Sequence, residues 1–113
     1  MRITVREFRD VVLITITERI DGSTAREVEQ VLESIQHRGQ HKLVIDMSQL
    51  EYISSAGYRV LLSAQRNFKR HDRGEVILAG VPESIRQALD ISGFTDYFTI
   101  YNDISAVPEL EGQ

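Results

Sequence analysis

Cysteine is absent from the 113 residues, which rules out a disulfide framework and a thiolate zinc site and suits the cytoplasm. Long apolar runs are absent too. None approaches the ~20 residues that cross a bilayer, and "MRITVREFRD" alternates apolar and polar side chains where a signal peptide would carry an apolar core. Direct membrane insertion is therefore not expected. Positive charge is scarce: 13 Lys and Arg against 17 Asp and Glu leave a net −4, which disfavours nonspecific nucleic-acid binding. The same balance permits a protein partner with a basic patch. There is no Gly-x-x-x-x-Gly-Lys loop for a nucleotide and no Gly-x-Ser-x-Gly elbow for a serine hydrolase. No repeat, low-complexity tract or linker interrupts the chain. Residues 1–113 read as one domain, long enough to bury a core without metal or disulfide.

What is present centres on "LVIDMSQLEYISSAGYRVLLSAQRNF", Leu43 to Phe68. Leu43 to Ile45 is an apolar run ending in Asp46, the pattern of a buried strand that delivers a polar side chain to the sheet's rim. Ser48-Gln49 makes a polar turn, after which Leu50, Tyr52 and Ile53 dip back towards the core. Gly57, Val60, Leu61, Ala64 and Phe68 recur at spacings of three and four, one apolar helix face. Ser54 and Ser55 stand just ahead of it, where a hydroxyl can cap unpaired amides at the positive end of the helix. Such a terminus accommodates a negative group such as phosphate.

Ile3 and Val5 alternate with polar residues as a half-buried strand, Arg9-Asp10 can turn the chain, and Val11 to Thr17 returns as a second strand. Gly22 permits a bend. Thr24 and Glu27 have capping-box spacing, and Ala25, Val28, Val31, Leu32 and Ile35 give a helix its apolar face, ended by Gly39. Val76 to Ala79 reads as another buried strand. Pro82 suits a helix's first turn, Ile85, Ala88 and Leu89 share its face, and Gly93 suits its end. Phe98 to Tyr101 is a last strand, and Asn102 or Asp103 can cap a short final helix that Pro108 limits. An initial hairpin followed by alternating strands and helices implies an α/β fold with a mixed sheet against about four helices.

In "VIDMSQLEYISSAGYRVLL" the chain resembles the STAS domain family of anti-sigma factor antagonists. That family's signature runs from a strand ending in aspartate, through an aromatic-Ile pair, to Asp-Ser-Ser/Thr-Gly-Leu at a helix start. "ERIDGSTAREVEQVLE" and "GEVILAGVPESIRQALDISGFTDYFTIYND" resemble the flanking parts, so the likeness spans nearly the whole chain and implies the same fold. Here Ser54 stands in place of the signature's acid, Ser55 matches its first hydroxyl, and Ala56 replaces the second. The resemblance implies a bacterial, cytoplasmic binding module rather than an enzyme, with phosphorylation on Ser55 and Ser54 as the alternative. The unphosphorylated domain would bind an ATP-dependent serine kinase that doubles as an anti-sigma factor, and a metal-dependent serine phosphatase would reset it. ATP belongs to the partner, so no cofactor is implied for this chain. The other reading is a stand-alone STAS subunit docked on the ATPase of an ABC (lipid) transporter, without phosphorylation.

Several residues carry competing readings. Asp46 sits where a receiver domain carries its phosphoacceptor, but the acidic pair that would hold magnesium is missing: Glu18 and Asp21 are separated. Its plain role is to accept from the turn around Ser48. Asp21, in "RIDGS", is an ordinary turn acid that the resemblance places on the surface of the modified serine. His37, His41 and His71 lie in polar, helix-ending contexts, and Gly39 separates the i,i+4 pair, which speaks against a metal site. On the outward side of the second helix, Tyr58, Leu62 and Arg66 follow at four-residue steps with Arg59 beside them, and tyrosine and arginine are enriched at interface hot spots. The expected partner surface is Asp21, Ser54, Ser55, Gly57, Tyr58, Arg59, Leu62 and Arg66.

Overall fold

The structure, a computed structural model, describes residues Met1–Gln113. Strand β1 (Arg2–Glu7) turns at Arg9-Asp10 into β2 (Val12–Ile20), antiparallel to it, with Arg2 opposite Thr17. Helix α1 (Ala25–His37), β3 (Lys42–Asp46), β4 (Leu50–Ile53), α2 (Ser55–Phe68), β5 (Glu75–Ala79), α3 (Glu83–Ser92) and β6 (Thr99–Tyr101) follow. The sheet runs β1-β2-β3-β5-β6, with β4 paired to β2 off this path. Every pairing after the hairpin is parallel, so the sheet is mixed, as the alternation of strands and helices implies.

Strands β3 and β5 read as unbroken apolar runs because both of their faces are covered. On one side Leu43, Ile45, Val76 and Leu78 meet Val28, Leu32, Leu61, Phe68 and Leu89 from the three helices. On the other, Val44, Ile77 and Ala79 lie under Val107, with Phe8, Tyr101 and Leu110 at the margin. α3 stops at Gly93, whose φ of 76° is the left-handed backbone that glycine adopts without a Cβ clash.

Four expectations need correction. Three α-helices form instead of about four: beyond Asp103, which accepts from the Ser105 amide at 2.8 Å, the chain makes only 3₁₀ turns at Ile104–Ala106 and Pro108–Leu110. Pro108 lacks an amide and forces Val107 out of helical backbone, so the first turn cannot grow. The capping box at Thr24 and Glu27 is not made. The Thr24 hydroxyl instead accepts from the Asp21 amide at 2.9 Å, and the Asp21 carbonyl accepts from Ala25 N at 2.8 Å. Strand β1 is an edge on which Ile3 is half-buried but Val5 is exposed. Tyr52 does not dip inward: it is 43% exposed, while Leu50 and Ile53 on the same short strand are buried.

Candidate functional site

Strands β2 and β4 end together, and their ends build the site. Ile53 lies opposite Ile20, and the Ser54 amide donates to the Ile20 carbonyl at 2.8 Å. Asp21 and Ser55 therefore leave the sheet from the same end. The pairing shifts register between Glu18 and Arg19, where Glu18 takes a φ of 68°. That bulge re-aims Arg19 and Tyr52 outward, with the guanidinium 4.5 Å from the ring centroid.

The two serines have separate roles. Ser54 is the N-cap of α2, in extended backbone, and its hydroxyl accepts from the Gly57 amide at 3.3 Å. Ser55 is the first residue of the helix; its side chain is exposed and makes no hydrogen bond within the chain. The amides of Ser55 and Ala56 likewise have no partner in the chain, and the first turn of α2 carries no acid. Free amides and a helix's positive end thus surround an accessible hydroxyl, which is a local field that favours a dianion.

Asp21 closes the neighbouring turn. Its Oδ1 accepts from the Ser23 amide at 2.9 Å and the Ser23 hydroxyl at 2.7 Å, and these bonds hold its carboxyl below the usual range. Arg19 Nε lies 3.6 Å from its other oxygen. Asp46 accepts from the Ser48 amide at 3.0 Å, the plain role expected of it.

The remaining expected contact residues divide by burial. Gly57 is buried, and it is there for packing: a Cβ would come within 2.6 Å of Ile53 Cγ1 and 2.9 Å of Ile20 Cγ2. Its burial leaves little of it at the surface. Tyr58 and Leu62 are half-buried against the core, because α3 leans on that side of α2 and the Tyr58 hydroxyl donates to the Ile85 carbonyl at 3.5 Å. Burial, with Tyr52 nearby, pushes the Tyr58 phenol up. Arg59 and Arg66 are exposed. The surface at this end therefore holds Ser55, Arg59, Arg19 and Tyr52, of which the sequence pattern singled out only the first two. Arg19 and Tyr52 meet through a bulge that no periodicity announces. The histidines do not converge as a triad: the His41 and His71 rings meet at a tilt of 41°, 4.3 Å between centroids, at the opposite ends of β3 and β5 from Asp46.

A family model described as STAS domain matches residues 2–107. The BtrV protein of Bordetella bronchiseptica is 28% identical over 106 residues, 94% of this chain and 90% of that one. An anti-sigma F factor antagonist of Paenibacillus polymyxa is 27% identical over 113 residues, 98% of this chain and 96% of the relative. Among solved structures, the Bacillus cell fate determinant SpoIIAA in its phosphorylated form has the same fold, with a TM-score of 0.72, 16% identity, and 96% and 94% of the two chains covered.

Proposed function

The chain belongs to the STAS domain family, and from that premise we propose that it is a binding module of the anti-sigma-factor-antagonist kind, switched by a phosphate on Ser55. The observation that carries this reading is the Ser55 hydroxyl, exposed at the start of α2 beside free backbone amides. Ser54, whose oxygen is engaged as the cap, is the lesser acceptor. The names of relatives that align along nearly the full chain support the class of partner. The phosphorylated SpoIIAA, of the same fold, supports the chemistry.

In this reading the unmodified domain binds an anti-sigma factor that is also an ATP-dependent serine kinase. The kinase transfers the γ-phosphoryl group of ATP to the Ser55 oxygen, the hydroxyl proton leaves, and ADP departs from the kinase. A metal-dependent phosphatase then hydrolyses the phosphoester. The domain supplies no catalytic group. It supplies a fixed hydroxyl and a surface, Arg19, Tyr52 and Arg59, whose affinity the phosphate changes. A phosphoserine adds about −1.5 to −2 charges at neutral pH. Against one negative charge about 5 Å away, at an effective dielectric near 20, each added charge costs on the order of 3 kcal/mol. Moving a bound population from nearly all to nearly none takes about 5.5 kcal/mol, so local repulsion suffices without refolding.

The test is mass spectrometry of the protein isolated with its associated proteins, before and after incubation with ATP. One phosphate on Ser55 and loss of the kinase from the isolated complex are expected, and Ser55→Ala should keep the kinase bound. A phosphate mapped to Ser54 would reassign the switch. An ATPase of a membrane transporter as the constant companion, with no phosphate, would replace the reading.

A further inference from the structure

The opposite half of α2 borders a groove of about 550 Å³, within the ~300–1,000 Å³ typical of binding sites. One wall carries Leu62, Arg66, Lys69 and Arg70 from α2 and its exit; the other carries Phe94 and Tyr97 from the 3₁₀ turn after α3. The two rings meet edge to face with centroids 5.9 Å apart. The walls are fastened together from beneath: Gln65 Nε2 donates to the Tyr97 carbonyl at 2.6 Å. Yet the groove is open, with Tyr97 57% exposed. None of the three cations is in an ion pair, and the Glu75 carboxylate near Lys69 is taken by Lys42 at 2.9 Å.

Three unpaired cations around an exposed tyrosine and a half-buried phenylalanine make this groove locally basic in a chain of net charge −4. We propose that this groove is a docking site for an acidic peptide segment of a partner protein, with an aromatic or aliphatic side chain between Leu62, Phe94 and Tyr97 and carboxylates on Arg66, Lys69 and Arg70. The surrounding negative charge turns away a long polyanion such as nucleic acid, whereas a short acidic segment meets only the patch. Ser55 and Arg66 are about 16 Å apart along the helix at ~1.5 Å per residue, beyond the ~8 Å screening length at physiological salt. The groove therefore keeps its ligand whether or not Ser55 carries a phosphate, and the inference does not rest on the reading of Ser55. A partner with an acidic tail would stay tethered while its contact at the other end of α2 is broken and remade.

The probe is a short synthetic peptide with Glu on both sides of a Phe-Leu pair, titrated into the isotope-labelled protein by amide NMR. Shifts confined to residues 62–70 and 94–97 are expected, weakening as salt is raised. The same peptide with Gln in place of each Glu, the Arg66→Glu/Arg70→Glu protein and Tyr97→Ser should each bind about ten-fold weaker or less well still, about ten-fold corresponding to 1.4 kcal/mol. Ser55→Asp should bind as the unmodified protein does. Absent shifts, shifts elsewhere, equal binding of the Gln peptide, or identical shifts from inorganic phosphate alone would overturn the proposal. Loss of binding in Ser55→Asp would overturn the independence of the two sites.

Discussion

Two adjacent serines at the start of α2 differ in what their oxygens touch, and stability can read that difference. The Ser54 hydroxyl satisfies the Gly57 amide, whereas Ser55 touches nothing in the chain. Replacing a capping serine by alanine costs about 0.5–2 kcal/mol. At Ser55 the same replacement removes no bond and introduces the better helix former, a change of at most a few tenths of a kcal/mol. Ser55→Asp adds an acid to a first turn that has none, favourable by about 0.3–1 kcal/mol. Urea unfolding should therefore rank Ser54→Ala below the parent, Ser55→Ala level with it, and Ser55→Asp level or slightly above. A loss at Ser55 equal to that at Ser54 would mean that the cap assignment is wrong. Ser55→Asp unfolding well below the parent would mean that a charge there acts by loosening the fold, not at the interface.

At the scale of elements, α2 is held by one side chain that the apolar periodicity passes over. Gln65 is 2% exposed. Its amide nitrogen donates to the carbonyls of Val76, at 3.1 Å, and Tyr97, while its oxygen accepts from the Val76 amide at 2.7 Å. The β5–β6 ladder begins at Ile77 opposite Thr99, so Val76 lies one residue short of a strand neighbour, and Gln65 completes the pairing that β6 does not reach. Gln65→Leu keeps the volume but strands the buried Val76 groups, at about 1–3 kcal/mol for each unsatisfied group. Chemical unfolding should show a loss of roughly 2–6 kcal/mol on that basis, and a loss near zero would mean that the groups find other partners. The sequence pattern reads β3, β5 and the three helices well because each buries a face with the matching period. It ends β2 at Thr17, whereas the strand runs on to Ile20, because the bulge at Glu18-Arg19 puts two polar residues in succession and breaks the alternation. It passes over β4 because a strand of four residues with only Leu50 and Ile53 buried has no alternation to read. It likewise passes over Gln65, since a polar side chain on a core face looks like a break in the stripe. Of the site, the exposed hydroxyl at a helix start is legible; the half-burial of Tyr58 and Leu62 is not, because it depends on where α3 leans.

Across the whole molecule, acid should act first through carboxylates held ionised by the fold. Glu75 opens β5 opposite Lys42 of β3. Burial alone would push its carboxyl up, but hydrogen bonds from Lys42 and Thr99, with the charges of Lys42 and Lys69, outweigh it and set it below the ordinary 4.5. Asp21 and Asp103 lie below their ordinary 3.8 for a related reason, each bonded to the hydroxyl and amide of the serine two residues on. A carboxyl depressed in the folded state binds its proton more weakly there than in the unfolded chain. Its stabilisation is thus complete above the ordinary value and lost as pH falls through the folded one. Asp21 and Asp103 are exposed enough for solvent to screen their part, which leaves the half-buried Lys42–Glu75 pair, 2.9 Å apart, as the main sensor. Thermal melts should be level from neutral pH down to about pH 5 and fall below the ordinary carboxylate range near ~4.3. Lys42→Met removes the strongest opposing cation while burial still acts, so the Glu75 carboxyl should rise. The variant should melt a few degrees lower at neutral pH, consistent with at most ~1 kcal/mol for a partly exposed pair, and the gap should close as acid protonates Glu75 in both proteins. A gap that stays constant from neutral to acid pH would show that Lys42 contributes packing and not charge.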